Sequence, residues 1–273
     1  MTDRAGFPGW LTRQDWRVQP AAWPAGRRLR IAVVADPHAG GPQMPARRLQ
    51  QVVEAVNLVG ADLVAVMGDY VADHAFVTRA VPMQEVARAL SGLRAPLGVF
   101  AVMGNHDWRA DPAAQAQGRG PVRYAAMLEG AGIPVLENDA RRVGGEDGLW
   151  ILGLGCQQAF RRRRIEAGQG VDDLPATLAQ ITDDAPAILL AHEPDIFPEV
   201  PPRVALTISG HTHGGQIKIG DWTPVIPSRF GRRFAWGHIR EEGRDLVVSG
   251  GLGCSGIPLR IGRPPEITVI ELG

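Results

Sequence analysis

Gly104-Asn105-His106-Asp107 follows the apolar run Leu97 to Met103, and the fold is decided by how that junction is read. A strand that ends in a small residue and then presents an amide, an imidazole and a carboxylate has nothing left to bury; it presents chemistry. Four more polar clusters close comparable apolar runs: Asp36-Pro37-His38, Gly68-Asp69, His192-Glu193 and Gly210-His211-Thr212-His213. Together the five clusters hold five of the seven histidines. Any one alone reads more readily as a helix cap or a satisfied loop histidine. Five, each just beyond a strand-like run, read as one site.

Outward from that junction the chain alternates. Leu29 to Ala35 is a β-branched run of the kind buried on both faces, and Asp36 and His38 stand at its end. Ala46 to Val59 follows with Leu49, Val52, Val53, Val56 and Val59 at helical spacing, and Gly60 stops it. Leu63 to Met67 reads as the second strand, Pro82 to Leu90 as the next helix with Pro82 in its first turn, and Leu97 to Met103 as the third strand. This order predicts a largely parallel sheet with right-handed crossovers and ligand groups at the C-terminal strand edge.

Asp111 to Gly120 reads as a loop and Val122 to Leu128 as a helix. Ile133 to Leu136, Arg141 to Val143 and Leu149 to Leu154 are short runs between turn signals, as in antiparallel strands, and begin a second sheet. Leu174 to Ile181 reads as a helix. Ala187 to Ala191, Val204 to Ser209, Leu246 to Ser249 and Ile267 to Leu272 read as strands, the first two leading into His192 and His211. The expectation is an α/β (in some schemes α+β) domain over residues 29–273, a two-layer β-sandwich of mixed sheets flanked by helices, with residues 1–28 packed on it as an N-terminal extension.

A chain of 273 residues with 45% hydrophobic content supports a sizeable core. Lysine plus arginine balance aspartate plus glutamate at 29 each, so no global field favours nucleic acid and an anionic substrate must be held locally. Cys156 and Cys254 form no zinc-type spacing. Met1 to Arg30 holds no apolar stretch long enough for a signal peptide or a span, which predicts a cytoplasmic protein. Trp10, Trp16 and Trp23 read as packing this arm onto the domain, with a weak membrane contact as the alternative.

Arg161 to Arg164 reads as a solvated loop, or else a clamp for phosphate or an acidic lipid surface. Trp222, Ile226, Phe230, Phe234 and Trp236 read as core, or as an apolar wall, lid or membrane contact beside the site. Gly250 to Gly256 reads as a tight turn near the site, and His74 and His238 as surface or supporting groups.

Asp36, His38, Asp69, Asn105, His192, His211 and His213 offer carboxylates, imidazoles and an amide oxygen without thiolate, a set suited to Mn, Fe or Zn. Seven donors are too many for one first-row ion but suit two divalent or trivalent transition-metal ions sharing a carboxylate. Ions about 3.5 to 4 Å apart activate a water and neutralise oxygens in an in-line displacement, which suits phosphate esters. His106 beside Asn105 reaches the substrate, so it is the candidate general acid, with Asp107 expected to fix its tautomer. That His106 is instead a ligand, or structural, stays open.

These blocks, D-x-H, G-D, G-N-H-D, H and G-H-x-H in order from Asp36 to His213, resemble the calcineurin-like metallophosphoesterase superfamily. The resemblance implies one metal held by Asp36, His38, Asp69 and His213, and another by Asp69, Asn105, His192 and His211, with Asp69 bridging. It also implies the β-sandwich and the acid role for His106. Gly68-Asp69-Tyr70-Val71, Ala191 to Asp195, Ser209 to Gln216 and Gly251 to Arg260 are similar to the bacterial YkuE/YaeI-like phosphodiesterase branch. That implies hydrolysis of a phosphodiester or pyrophosphate bond in a small-molecule or nucleotide-linked substrate, by in-line attack of a metal-bridging hydroxide. The alternatives are a phosphomonoesterase or protein phosphatase, or a catalytically silent metal-stabilised module.

Overall fold

The computed structural model describes residues 7–160 and 170–273. In its first half, strands β1 (Thr12–Val18), β2 (Leu29–Val34) and the two-residue β3 (Gly40–Gly41) precede helix α1 (Ala46–Val59). Strand β4 (Leu63–Val66), the short β5 (Arg79–Ala80), α2 (Met83–Leu90), β6 (Val99–Ala101), α3 (Asn105–Arg109), α4 (Pro112–Gln117) and α5 (Arg123–Gly130) follow. The second half supplies β7 (Asp139–Val143), β8 (Leu149–Gly153), α6 (Leu174–Leu178), β9 (Ala187–Leu190), β10 (Val204–Ser209), β11 (Gly237–Glu241), β12 (Arg244–Val248) and β13 (Glu266–Leu272).

Two sheets stack face to face. The first runs β1-β13-β2-β4-β6, with β2, β4 and β6 parallel and β13 antiparallel to β2. The second runs β11-β12-β10-β9-β8-β7, parallel from β12 to β8 with an antiparallel strand at each edge. Strands β4, β8, β9, β10 and β12 are buried along their whole length, as runs without polar alternation require.

Ile31, Val33, Ala65 and Met67 of the first sheet meet Ile151, Ile188, Leu206 and Ile208 of the second. Each such aliphatic side chain contributes about 1.5–3 kcal/mol on burial. The outer face of the first sheet buries Val34, Val64 and Val66 under α1, α2 and α5. Leu152 and Leu189 of the second pack on Leu174, Ile196 and Val200. The fold is thus a mixed α/β sandwich flanked by helices.

Several expectations change. The N-terminal arm is more than packing, because β1 pairs in parallel with β13 over seven residues and forms the edge of the first sheet. Its alternation was obscured by the polar side chains an edge strand exposes. Trp23 is buried, Trp16 stands edge-on to Trp236, and Arg48 covers Trp10.

The segment 111–120 is not a loop. Asp111 caps α4 by accepting from Ala113 N and Ala114 N, Pro112 fills the first turn, and Gly118 ends the helix in the left-handed region. Conversely, 133–136 forms no strand: Pro134 lacks an N–H, and only Val135 bridges Ala101. Strand β11 was not foreseen, since Gly237–Glu241 has no apolar run. Arg161 to Arg164 lie outside the described residues.

Candidate metal centre

All seven predicted donors converge where strands of both sheets end. Asp36 and His38 follow β2, Asp69 follows β4, and Asn105 opens α3 after β6. His192 follows β9, and His211 and His213 follow β10. Strands of the two sheets thus deliver donors from both sides.

The backbone is strained where it turns these side chains inward. Among the described residues, eight that are not glycine have positive φ, and five of them are Asp36, His38, Asp69, His211 and His213. Such conformations persist only where the surroundings impose them. Close approach matters too: a Cβ on Gly104 would lie 2.7 Å from Asp69 N and 2.7 Å from His192 Cε1. Only glycine lets these two loops meet.

Asp69 is central. Its Oδ1 accepts from His106 N at 2.8 Å, while its Oδ2 lies 3.5 Å from His38 Nε2 and 3.4 Å from His192 Nε2. Candidate ligand atoms of Asp36, His38 and His213 lie within 4.8 Å of one another, and so do those of Asp69, His192 and His211. His38 Nε2 and His213 Nε2 are 3.2 Å apart. A third such group, His38, Asp69 and His106, keeps the ligand alternative for His106 in view.

Two observations test whether the residues fit cations. Asn105 Oδ1 and His192 Nε2 are buried with no hydrogen-bond partner in the structure. His192 Nδ1 bonds Met67 O, and a carbonyl only accepts, so Nδ1 carries a proton and Nε2 is left to face the carboxylates. An orphaned amide oxygen and imidazole beside two aspartates are what cations satisfy.

Burial pushes Asp36 up to about 7, with Asp69 adding to the rise and His192 opposing it. Burial would raise Asp69 too, but the imidazoles of His192 and His106 overcome it and hold that carboxyl well below the usual range. Burial depresses His38 to about 3 and holds His211 and His213 well below an ordinary histidine, so these rings are neutral and offer lone pairs. In His192 burial is outweighed by Asp69, and the ring is raised well above its ordinary value.

The expected pairing of His106 with Asp107 is not what forms. Asp107 sits three residues into the capped start of α3, and its carboxylate accepts from Gly104 N, Asp69 N and Tyr70 N at 2.8, 2.8 and 2.9 Å. It fastens the two loops together. Successive residues on a helix point roughly 100° apart, so sequence neighbours do not face each other. His106 Nδ1 instead donates to Asp73 Oδ1 at 2.7 Å, leaving Nε2 turned toward Asp69 Oδ2 at 3.9 Å and Ser255 Oγ at 3.2 Å.

Gln158 and Cys156 at the site had no distinguishing signal in sequence, whereas Arg260, Gln216 and the 250–256 turn lie in stretches singled out there. Arg260 donates to Gly253 O and Gly250 O and places Nη2 3.1 Å from His213 Nδ1. Gln158 Nε2 lies 3.2 Å from His211 Nε2. Buried Cys156 donates to Glu193 Oε1 at 3.0 Å, behind His192. The turn at 250–256 reaches the site through Ser255, which Gln216 Oε1 pins by accepting from its N–H.

His74 lines the cavity, whereas His238 is engaged with Asp245 at 2.7 Å. The aromatic segment divides: Phe234 is core against Phe197, Leu246 and Val248, Trp222 is exposed, and Pro224, Val225 and Pro227 wall the cavity. That cavity, about 910 Å³, opens over Asp69, Asn105, His211 and His213.

Residues 29–215 match the family described as Calcineurin-like phosphoesterase. The chain is 30% identical to the uncharacterised metallophosphoesterase YkuE of Bacillus subtilis, covering 82% of this chain and 72% of that protein. It is 27% identical to an uncharacterised metallophosphoesterase of Aquifex aeolicus, covering 96% and 92%. With a transmembrane protein of Danio rerio that has a metallophosphoesterase domain it shares 30% identity over 89% of this chain and 53% of that one, so it spans about half of that relative's length. The chain belongs to the calcineurin-like metallophosphoesterase family.

Proposed function

We propose that this chain is a two-metal phosphoesterase that hydrolyses a phosphodiester or pyrophosphate bond. The observation that carries the reading is Asp69, whose carboxylate stands between the two donor groups with imidazoles from both sheets around it. One ion would be held by Asp36, His38, Asp69 and His213, and the other by Asp69, Asn105, His192 and His211. Such a pair, whether Mn, Fe or Zn, neutralises phosphate oxygens and activates a water.

The chain's own groups supply the rest. His106 Nε2 faces the cavity and delivers a proton to the departing oxygen, while Asp73 holds the proton on Nδ1 and so fixes which nitrogen faces the substrate. Asp107 holds the loops that carry Asp69 and Asn105 in register.

A diester is preferred to a monoester because a cavity of about 910 Å³ leaves room for a second substituent on phosphorus, and its lining offers polar groups, Asp73, His74 and Arg109, as well as apolar ones, Ile217, Val225 and Ile257. Turnover of bis-p-nitrophenyl phosphate against p-nitrophenyl phosphate, with Mn, Fe, Zn, Co or Ni added to metal-depleted protein, tests this. Preference for the diester is expected; preference for the monoester makes the protein a phosphomonoesterase, and no turnover with any metal makes it a silent module. Among the described residues no helix is long and apolar enough to cross a membrane.

A further inference from the structure

Among the described residues eight large apolar side chains stand exposed, and six of them come from two neighbouring segments. Ile219, Trp222 and Val225 belong to one and Ile257, Leu259 and Ile261 to the other, each between 39% and 58% exposed. The segments are tied together. Lys218 N donates to Ile261 O at 2.7 Å, Ile217 bridges Ile261, and Ile219 and Trp222 exchange two main-chain bonds of 3.0 Å that close a hairpin. Folding gains nothing from holding these side chains in water, and apolar area gathered in one place marks an interaction surface.

The patch is continuous with the cavity over the metal centre, because Val225 and Ile257 belong to both. Its charge is also biased. Lys218, the only lysine of the chain, and the partly exposed Arg263 just beyond the second segment stand against Asp221, while Arg260 turns inward to His213. Lys218 lies between Ile217 and Ile219 on the same stretch, where a long stem can lie along apolar surface while its ammonium reaches phosphate.

We propose that the hairpin at 217–222 and the turn at 257–261 dock on an anionic lipid bilayer and turn the cavity mouth toward it. The proposal rests on the phosphoesterase reading for the meaning of that mouth. A bilayer fits better than a protein partner: a protein seated on residues that line the entrance would close it, whereas a bilayer can itself present the ester. Aliphatic and tryptophan side chains on two adjoining turns, with a cation among them, suit the interfacial region of a membrane.

The test is co-sedimentation of the full chain with vesicles of phosphatidylcholine and phosphatidylglycerol. The wild type is expected to pellet with them, and Trp222→Ser with Ile261→Ser to weaken partitioning by about tenfold or more. Ile219→Ser with Leu259→Ser gives a second, independent variant, and thermal melting checks that both are folded.

Wild-type protein left in the supernatant, or both folded variants pelleting as well as wild type, overturns the docking surface. So does sedimentation velocity that shows a wild-type dimer undone by the same substitutions, since a second copy would then cover the patch. Turnover of bis-p-nitrophenyl phosphate, which is soluble and carries no acyl chain, reports on the phosphoesterase reading separately. Turnover without vesicle binding overturns the docking surface alone.

Discussion

His106 and Asp73 are joined by a 2.7 Å hydrogen bond between ring Nδ1 and carboxylate Oδ1. Burial by itself would lower His106, but the charges of Asp69 and Asp73 outweigh it and the ring is raised above its ordinary value. A raised pKa keeps the acid protonated to higher pH, so activity that needs the proton is present below that value and lost as pH rises through it. Asp73→Asn removes one of the charges that raise it. The alkaline limb of the kcat profile should therefore move to lower pH and kcat fall by about tenfold or more, with metal content unchanged. An unmoved limb would separate Asp73 from the acid.

His106→Ala should lower turnover of an unactivated diester by about 10²- to 10⁴-fold while the protein keeps its metal. Metal analysis of the same sample is decisive. Loss of an ion in that variant would make His106 a ligand, the alternative its proximity to His38 and Asp69 permits.

Asp107→Ala should act on stability. Three buried N–H groups, of Gly104, Asp69 and Tyr70, lose their acceptor, and the expected loss is about 3 kcal/mol or more in urea unfolding. Asp73, half exposed, should give a much smaller change on substitution by alanine. Equal losses would remove the distinction between the two carboxylates.

Metal affinity should rise with pH. Asp36 is raised to about 7 and His192 well above its ordinary value, so below those points the metal-free site holds protons that a cation must displace. Displacing the Asp36 proton alone predicts about tenfold tighter binding at about pH 8 than at about pH 6, and His192 adds to it. Calorimetric titration in buffers of different ionisation enthalpy counts the protons released. Affinity independent of pH would place the ions elsewhere.

The five polar clusters were legible because each follows a run with no polar alternation, and such runs become strands buried on both faces. Their ends are the natural place for donors in a stacked sheet. Asp73 was not legible: it lies four residues beyond Asp69, past a turn whose course no local pattern reveals. Asp107 misled for the opposite reason, since adjacency along the chain suggested contact where a helical start turns the two side chains apart. Helix α4 did carry its caps in the sequence, in Asp111, Pro112 and Gly118, but six residues rich in alanine and glutamine have no apolar stripe to declare a helix. Strands β1 and β11 form sheet edges, where half-exposed side chains blur the pattern.

Asp36, His38, Asp69 and Asn105 hang from one layer of the sandwich, and His192, His211 and His213 from the other. Ions gripped by both sets would act as rivets through the seam between the layers. A cell starved of transition metal would then hold this protein unfastened along one margin, its catalytic loops open to proteases that the filled form turns away.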